Sequence, residues 1–153
     1  MVLEIGGGLF GQQDVRETES TTNLPSGIGY ASTMAVAFSS LNPATDVMII
    51  NSGGAQVSTG STNMYGAIQL PDGAVITGAI MYGNATMAGA RTWTMYRKTL
   101  SGGSSSAIGT AAVNTEDTTL SNTGVDNSTY TYLFHSALGA GDVLYGVRVT
   151  YTI

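Results

Sequence analysis

Short apolar runs separated by turn residues recur from about residue 30 to the end of the chain. Gly, Pro, Asn and Asp occupy the breaks between the runs. Short strands at this regular spacing are typical of an antiparallel sandwich or barrel. The pattern predicts strands at 33–38, 47–50, 64–70, 75–82, 92–98, 107–113, 118–120, 130–135 and 143–151.

Alternation within the later strands indicates which side chains form the core. Three strands place large apolar or aromatic side chains at every second position: Trp93 and Met95; Tyr130, Tyr132 and Phe134; and Tyr145, Val147, Val149 and Tyr151. A period of two, in strands rich in aromatic and β-branched residues, predicts one buried and one exposed face. We therefore expect an all-β protein, an antiparallel β-sandwich with these faces turned inward.

Residues 1–28 differ from the rest of the chain. They combine a glycine cluster, a polar acidic run at 12–19 and a Pro-Ser-Gly turn signal. We predict an extended N-terminal arm at 1–28, with a short helix at 12–19, followed by a β-sandwich domain at 29–153. The arm has little apolar content of its own, so we expect a neighbouring subunit to hold it. Its first residues lack the basic and long apolar regions of a secretory signal.

The composition favours association over catalysis. The chain has 153 residues, enough for one domain with its own core. Charged residues make up 10% of it, against about 25% in an average globular protein. Such a neutral, hydroxyl-rich surface is poorly protected against association. This suits a subunit that assembles.

The net charge of −5, with one lysine and scattered arginines, argues against two classes of partner. Nucleic-acid binding needs a basic footprint, and anionic membranes repel an acidic chain. No apolar stretch approaches the length of a membrane-spanning helix. The chain has no cysteine, so disulfides and thiolate metal sites are absent. We expect neither nucleic acid nor membrane as a partner.

A glycine pattern at the start of the chain matches a cofactor motif on spacing alone. Gly6, Gly8 and Gly11 follow a short apolar run, as in dinucleotide-binding loops. That motif requires a strand before it and a helix after it within a βαβ unit. A strand-rich chain without a following apolar helix does not provide this context. We interpret the glycines as part of the arm and predict no cofactor.

Catalytic and metal-binding groups are sparse. His135 is the only histidine, so a catalytic triad or a histidine metal site would have to use it. It lies at a predicted strand end without a nucleophile turn, which indicates an ordinary strand-end histidine. Five carboxylates adjoin turn residues, where such side chains commonly serve as turn and cap groups: Asp72, Glu116, Asp117, Asp126 and Asp142. We predict no catalytic residue and no metal site. A calcium site among these loops and a paired-carboxylate glycosidase are the alternatives.

Aromatic residues provide the candidate ligand face. Most of the eight tyrosines and the single tryptophan alternate on strands, which favours the core. Tyr65, Tyr82 and Tyr96 are the candidates for an exposed face that stacks on a surface glycan. Two sequons, at Asn84 and Asn127, would matter only on a glycosylating cell surface.

Two stretches carry a resemblance to known proteins. LPDGAVIT at 70–77, leading to TMYR at 94–97, resembles an LPDGA-x-I-T…LYR pattern, and LYGVRVTY at 144–151 resembles a closing strand. Both are similar to segments of β-sandwich structural or attachment proteins of phage and archaeal virus particles. The resemblance covers about residues 65–153. It implies a jelly-roll-like sandwich used for assembly or attachment, without catalytic residues.

Together these features predict a non-enzymatic virion structural protein, a capsid, decoration or fibre subunit. Its partners would be copies of itself or other virion proteins, and its location the virion, assembled in the host cytoplasm. One alternative is a carbohydrate-binding module, which an exposed aromatic row would favour. Another is a cell-surface filament subunit at an extracellular surface, which an export signal upstream of Met1 would favour.

Overall fold

The computed structural model describes residues 27–40, 48–51 and 53–153, which form two antiparallel sheets. The strands are β1 (Ile28–Met34), β2 (Phe38–Ser40), β3 (Met48–Asn51), β4 (Gly54–Val57), β5 (Ser61–Ile68), β6 (Val75–Gly83), β7 (Thr92–Thr99), β8 (Ser105–Ala112), β9 (Tyr130–Gly139) and β10 (Val143–Thr152). A 3-10 turn, Ala35–Ala37, follows β1, and a short helix α1, Ala85–Ala90, follows β6. Residues 1–26 of the predicted arm, with the glycine pattern and the helix at 12–19, lie outside the described residues.

β10 is the central strand of the first sheet, and β9 is the middle strand of the second. In the first sheet β10 pairs with β1 along one side and with β6 along the other, and the β3–β4 hairpin joins the start of β10. In the second sheet the order is β2-β5-β9-β7-β8. The 3-10 turn after β1 carries the chain from the first sheet to the second.

The strand pairs join both sequence neighbours and strands from opposite ends of the described chain. β1 pairs with β10, β5 with β9 and β7 with β8, all antiparallel. The segment 113–126 lies along β6 through two isolated bridges, Val75 with Gly124 and Ala79 with Asp117. The predicted all-β fold, an antiparallel β-sandwich of two sheets, is confirmed.

The core lies between the facing sides of the sheets. Trp93, Met95 and Phe134 from the second sheet are fully buried there. They belong to one cluster with side chains of the first sheet, including Ile76 and Val149. The faces predicted for β7 and for the middle of β9 are therefore correct.

The predicted face of the last strand is wrong at its start. Tyr145 is exposed, whereas Leu144 is fully buried and on the core side. The register against β6 shifts between Leu144 and Gly146, which marks a β-bulge. Gly146 has φ +156, and a Cβ at this position would lie 2.7 Å from the carbonyl oxygen of Thr33. The extra residue turns Tyr145 outward, while Val147 and Val149 remain inward.

Other predicted boundaries also change. Residues 118–120 do not form the expected strand; the flanking Asp117 bonds to Ala79 on β6, and Ser121 bonds to Ile108 on β8. The strand expected at 33–38 is interrupted by the 3-10 turn. β4 and α1 have no counterpart in the prediction. Asn84, which lies between two predicted strands, is the N-cap residue of α1.

Asn84 holds α1 against the end of β10. Its Oδ1 accepts from the N–H of Met87 at 3.0 Å and of Val143 at 3.3 Å, and its Nδ2 donates to the Gly141 carbonyl at 2.9 Å. We expect Asn84→Ala to lower the free energy of unfolding by about 1–2 kcal/mol, because a helix N-cap is lost. Urea denaturation measures this. Asn84→Asp keeps the accepting oxygen and should cost less, and equal losses for both variants would contradict the capping role.

Candidate functional site

Three aromatic rings form a row across the outward face of the second sheet. Tyr65 on β5 lies directly opposite His135 on β9, and their ring centroids are 4.7 Å apart. Tyr96 on β7 lies on the other side of His135, at 6.4 Å. The row borders a shallow depression of about 620 Å³ that we call the aromatic groove, lined by Tyr65, Tyr96, Lys98, Ser105, Leu133 and His135.

His135 occupies the middle of the row, and it is not at a strand end as predicted, because β9 continues to Gly139. Its Nε2 is 3.1 Å from Oδ1 of Asn63 on β5, which fixes the orientation of the ring. Partial burial lowers the pKa of His135. The imidazole is therefore neutral at pH 7 and presents a flat, uncharged surface between the tyrosines.

Lys98 contributes the single charge among the side chains that line the aromatic groove. It is the only lysine of the chain and is exposed at one end of the groove. Neither ion pair among the described residues includes it. Ser105 lies directly opposite Lys98 on β8. The groove thus offers aromatic faces in its middle and a cation with a hydroxyl at its end.

A smaller depression of about 250 Å³ adjoins the groove through Tyr96 and His135. Thr94 and Arg91 are among the residues that line it. The Arg91 guanidinium pairs with Asp142 at 2.6 Å, so its charge is already balanced within the protein. This depression extends the groove with hydroxyl groups and adds no free charge.

Tyr82 does not belong to the groove, because β6 lies in the other sheet. Arg148 lies between two rings there, with Cζ 5.9 Å from the centroid of Tyr82 and 5.6 Å from that of Tyr30. The structure therefore brings together Tyr65 and Tyr96 and separates Tyr82 from them. Lys98 and His135 also line the groove, and neither was predicted as part of a ligand face. Lys98 is two residues after Tyr96 on β7, so the alternation of the strand places both on the same face.

A second surface of interest is the open side of β1. Among the described residues β1 pairs only with β10, so its other long side has no strand partner. Its outward side chains include Ile28, Tyr30 and Met34, which are 68%, 64% and 72% exposed. The strand contains no charged residue and no proline. We call this surface the β1 edge.

The five carboxylates each have a local partner. Asp142 is buried and pairs with Arg91, and Glu116 lies 3.6 Å from Arg148. The other three accept hydrogen bonds within turns and loops: Asp72 from Asn127, Asp117 from Thr110 and Thr119, and Asp126 from Ser128 and Thr129. In the described part of the chain no three His, Asp or Glu side chains form a metal-ligand group.

Hydrogen bonds favour the charged form of two turn carboxylates, Asp117 and Asp126. Burial raises the pKa of Asp117, but hydrogen bonds from Thr119 and Thr110 outweigh it and lower that pKa overall. Hydrogen bonds from Ser128 and Thr129 lower the pKa of Asp126. These shifts have structural causes within the turns, so they do not indicate an acid or base for catalysis.

Both sequon asparagines are tied to the backbone. The Nδ2 of Asn84 donates to Gly141, and that of Asn127 donates to the carbonyl of Leu70 at 2.8 Å. These amides are thus engaged in holding loops together. The helix in the described region is too short to cross a membrane.

Comparison with known proteins gives no relative for this fold. The chain matches no model of a protein family, no curated protein sequence and no solved structure.

Proposed function

We propose that this protein is a non-enzymatic structural subunit of a virus particle that acts through self-assembly and protein–protein contacts. The observation that carries the proposal is the β1 edge, a strand side that no other described strand pairs with and that has three large apolar side chains exposed. The low charge of the chain and its resemblance to virion sandwich proteins agree with it. A capsid, decoration or fibre subunit would use such an edge to contact the next copy.

Within its own sequence, β1 lacks the charges, proline and bulge that protect the edge strands of monomeric sheets. Soluble proteins usually block an edge strand with charged residues, proline or a bulge, because an open edge pairs with other chains. β1 has no charge or proline, and its register with β10 is continuous from Ile28 to Met34. Backbone pairing with another subunit would satisfy its free polar groups and cover its apolar side chains.

The residues beside the β1 edge are those that protein interfaces favour. Tyr30 projects from β1, and Arg148 on β10 lies between it and Tyr82. Tyrosine and arginine are enriched at the energetic centres of interfaces. The stacked arginine keeps these rings in place, so a partner would find them already arranged.

Charges placed on the β1 edge should weaken assembly. We expect light scattering of the wild-type protein to give a mass that exceeds the 15.7 kDa of one chain and rises with concentration. Assemblies of the double variant Tyr30→Lys, Met34→Lys should dissociate at a concentration at least about tenfold higher than assemblies of the wild type do. Like charges would face each other across the paired edge and weaken it. The control is Leu100→Lys, since Leu100 is 61% exposed but lies in a turn of the second sheet.

Two outcomes would oppose the proposal. A wild-type protein that stays at the mass of one chain at all concentrations would argue against self-assembly. Assembly that Leu100→Lys weakens as much as the β1 variant would argue against the β1 edge. Electron microscopy of the assembled protein then separates the roles, because closed shells support a capsid subunit whereas long filaments support a fibre or a cell-surface filament subunit.

A further inference from the structure

The aromatic groove has the composition of a ligand site and lies on the sheet opposite the β1 edge. We propose that it binds an acidic saccharide, a sugar chain that bears a carboxylate. Through this groove the protein would attach to a glycan. It does not depend on whether the protein assembles through the β1 edge.

The row of rings suits the faces of sugar rings. Tyr65, His135 and Tyr96 lie on three adjacent strands, and strands about 4.8 Å apart give the row a width of about 10 Å. The face of an aromatic ring is electronegative, and the C–H bonds on one side of a pyranose are weakly electropositive. A shallow groove with such faces can therefore stack on a saccharide without enclosing it.

The rings are arranged before any ligand arrives. Asn63 orients the imidazole of His135, and Tyr65 packs against that imidazole at 4.7 Å. Side chains that are already ordered lose little conformational freedom on binding. The tyrosine hydroxyls and the Ser105 hydroxyl remain at the groove as partners for sugar hydroxyls.

Lys98 determines the charge of the ligand. Among the described residues that line the groove, its ammonium is the single charge and none is a carboxylate. The stem of Lys98 lies near Gly103 in the turn between β7 and β8, where an added Cβ would be 3.9 Å from its Cε. An unpaired cation beside stacking faces selects a saccharide that carries a carboxylate over a neutral one.

The same charges disfavour nucleic acid as the ligand. Single-stranded nucleic acid also stacks on aromatic side chains, but its binding needs a basic track along the backbone. This groove has one cation in a chain of net charge −5. A saccharide with one or a few carboxylates matches that balance better than a polyanion does.

Calorimetric titration with two matched pairs of probes tests the proposal: trigalacturonate against its methyl ester, and sialyllactose against lactose. We expect at least one acidic member to bind at least about tenfold more tightly than its neutral counterpart, the factor that one added charge contact of 1.4 kcal/mol gives. Tyr96→Ala should weaken the acidic and the neutral member alike. Lys98→Met should remove the preference for the acid, and Lys98→Arg should keep it.

Tyr82→Ala is the matched control, since Tyr82 is a partly exposed tyrosine on the other sheet. It should bind like the wild type. The Tyr96 and Lys98 variants should also keep the wild-type melting temperature and assembly mass, which separates loss of this site from loss of folding or of the β1 contact. Failure of both acidic probes to bind would overturn the proposal. So would an acid preference that survives Lys98→Met, or tighter binding of a single-stranded oligonucleotide than of any saccharide.

Discussion

Replacement of Trp93 by alanine is expected to lower the free energy of unfolding by about 3–5 kcal/mol, the range for a large aromatic side chain removed from a core. Trp93 is fully buried on β7, and its ring packs against Phe134 with centroids 5.5 Å apart. Its Nε1 donates to the carbonyl of Thr115 at 3.2 Å. The alanine variant leaves a cavity between the sheets and an unpaired carbonyl in the segment that covers β6. Urea denaturation followed by circular dichroism measures the loss.

Two further variants separate the parts of that loss. Trp93→Phe keeps most of the packing and removes the indole donor, so it should cost about 1–2 kcal/mol. Leu100→Ala truncates an exposed apolar side chain and should change stability by no more than about 0.5 kcal/mol. A cost below about 1 kcal/mol for Trp93→Ala would place the indole outside the core and contradict the structure.

The Thr115 bond also links Trp93 to the edge of β6. Ala79 and Asp117 exchange two backbone hydrogen bonds, at 3.1 Å and 2.9 Å, beside the loop that receives the indole N–H. Without that bond the loop 113–126 is attached to the sandwich more weakly. Native-state hydrogen exchange of Trp93→Phe should therefore show reduced protection at these two amides while the central strand β9 keeps its protection.

The alternation of β7 and β9 was sufficient to predict their buried faces. Trp93 and Met95, and Tyr132 and Phe134, follow a strict period of two in strands whose register with each other is regular. In such strands the side chain's face depends on local sequence position alone. These positions fix the inner side of the second sheet, and hence also the outer side that carries Tyr96 and His135.

Features that depend on pairing with strands distant in the sequence could not be predicted from local alternation. The bulge at Tyr145 exists because β10 pairs with β6 and with β1 at once, and Gly146 passes close to the backbone of Thr33. β4 is short, and its pairing with Leu144 and with β3 holds it in the first sheet. Neither pairing leaves a periodic signal in the local sequence.

The candidate ligand face was predicted in part for the same reason. Tyr65 and Tyr96 lie on one face of the second sheet, but whether Tyr82 joins them depends on strand order, which places β6 in the first sheet. His135 was read as a strand end because the small residues after it, Ser136 and Ala137, break the apolar pattern. In the structure they continue β9, and the imidazole lies between two tyrosines.

Removal of the Arg91 guanidinium is the second large effect we expect. Arg91 Nε lies 2.6 Å from Oδ2 of Asp142, and the same oxygen accepts from the N–H of Gly139 at 2.6 Å. The Asp142 side chain is 1% exposed. Arg91→Met leaves this carboxylate buried without its counter-charge, so we expect a loss of about 3–5 kcal/mol in urea denaturation. Arg148→Met is the matched control, because its pair with Glu116 is exposed and should contribute no more than about 1 kcal/mol.

The two partners of the buried pair should respond unequally. Asp142→Asn leaves Arg91, whose side chain is 33% exposed and can reach water, so this variant should cost less than Arg91→Met. The asparagine can still accept from Gly139. In the Arg91→Met background, Asp142→Asn removes the stranded charge and should recover about half of the loss, a coupling that a double-mutant cycle measures. If Asp142→Asn costs more than Arg91→Met, or recovers nothing in that background, the packing of the arginine stem is what stabilises this end of the sandwich.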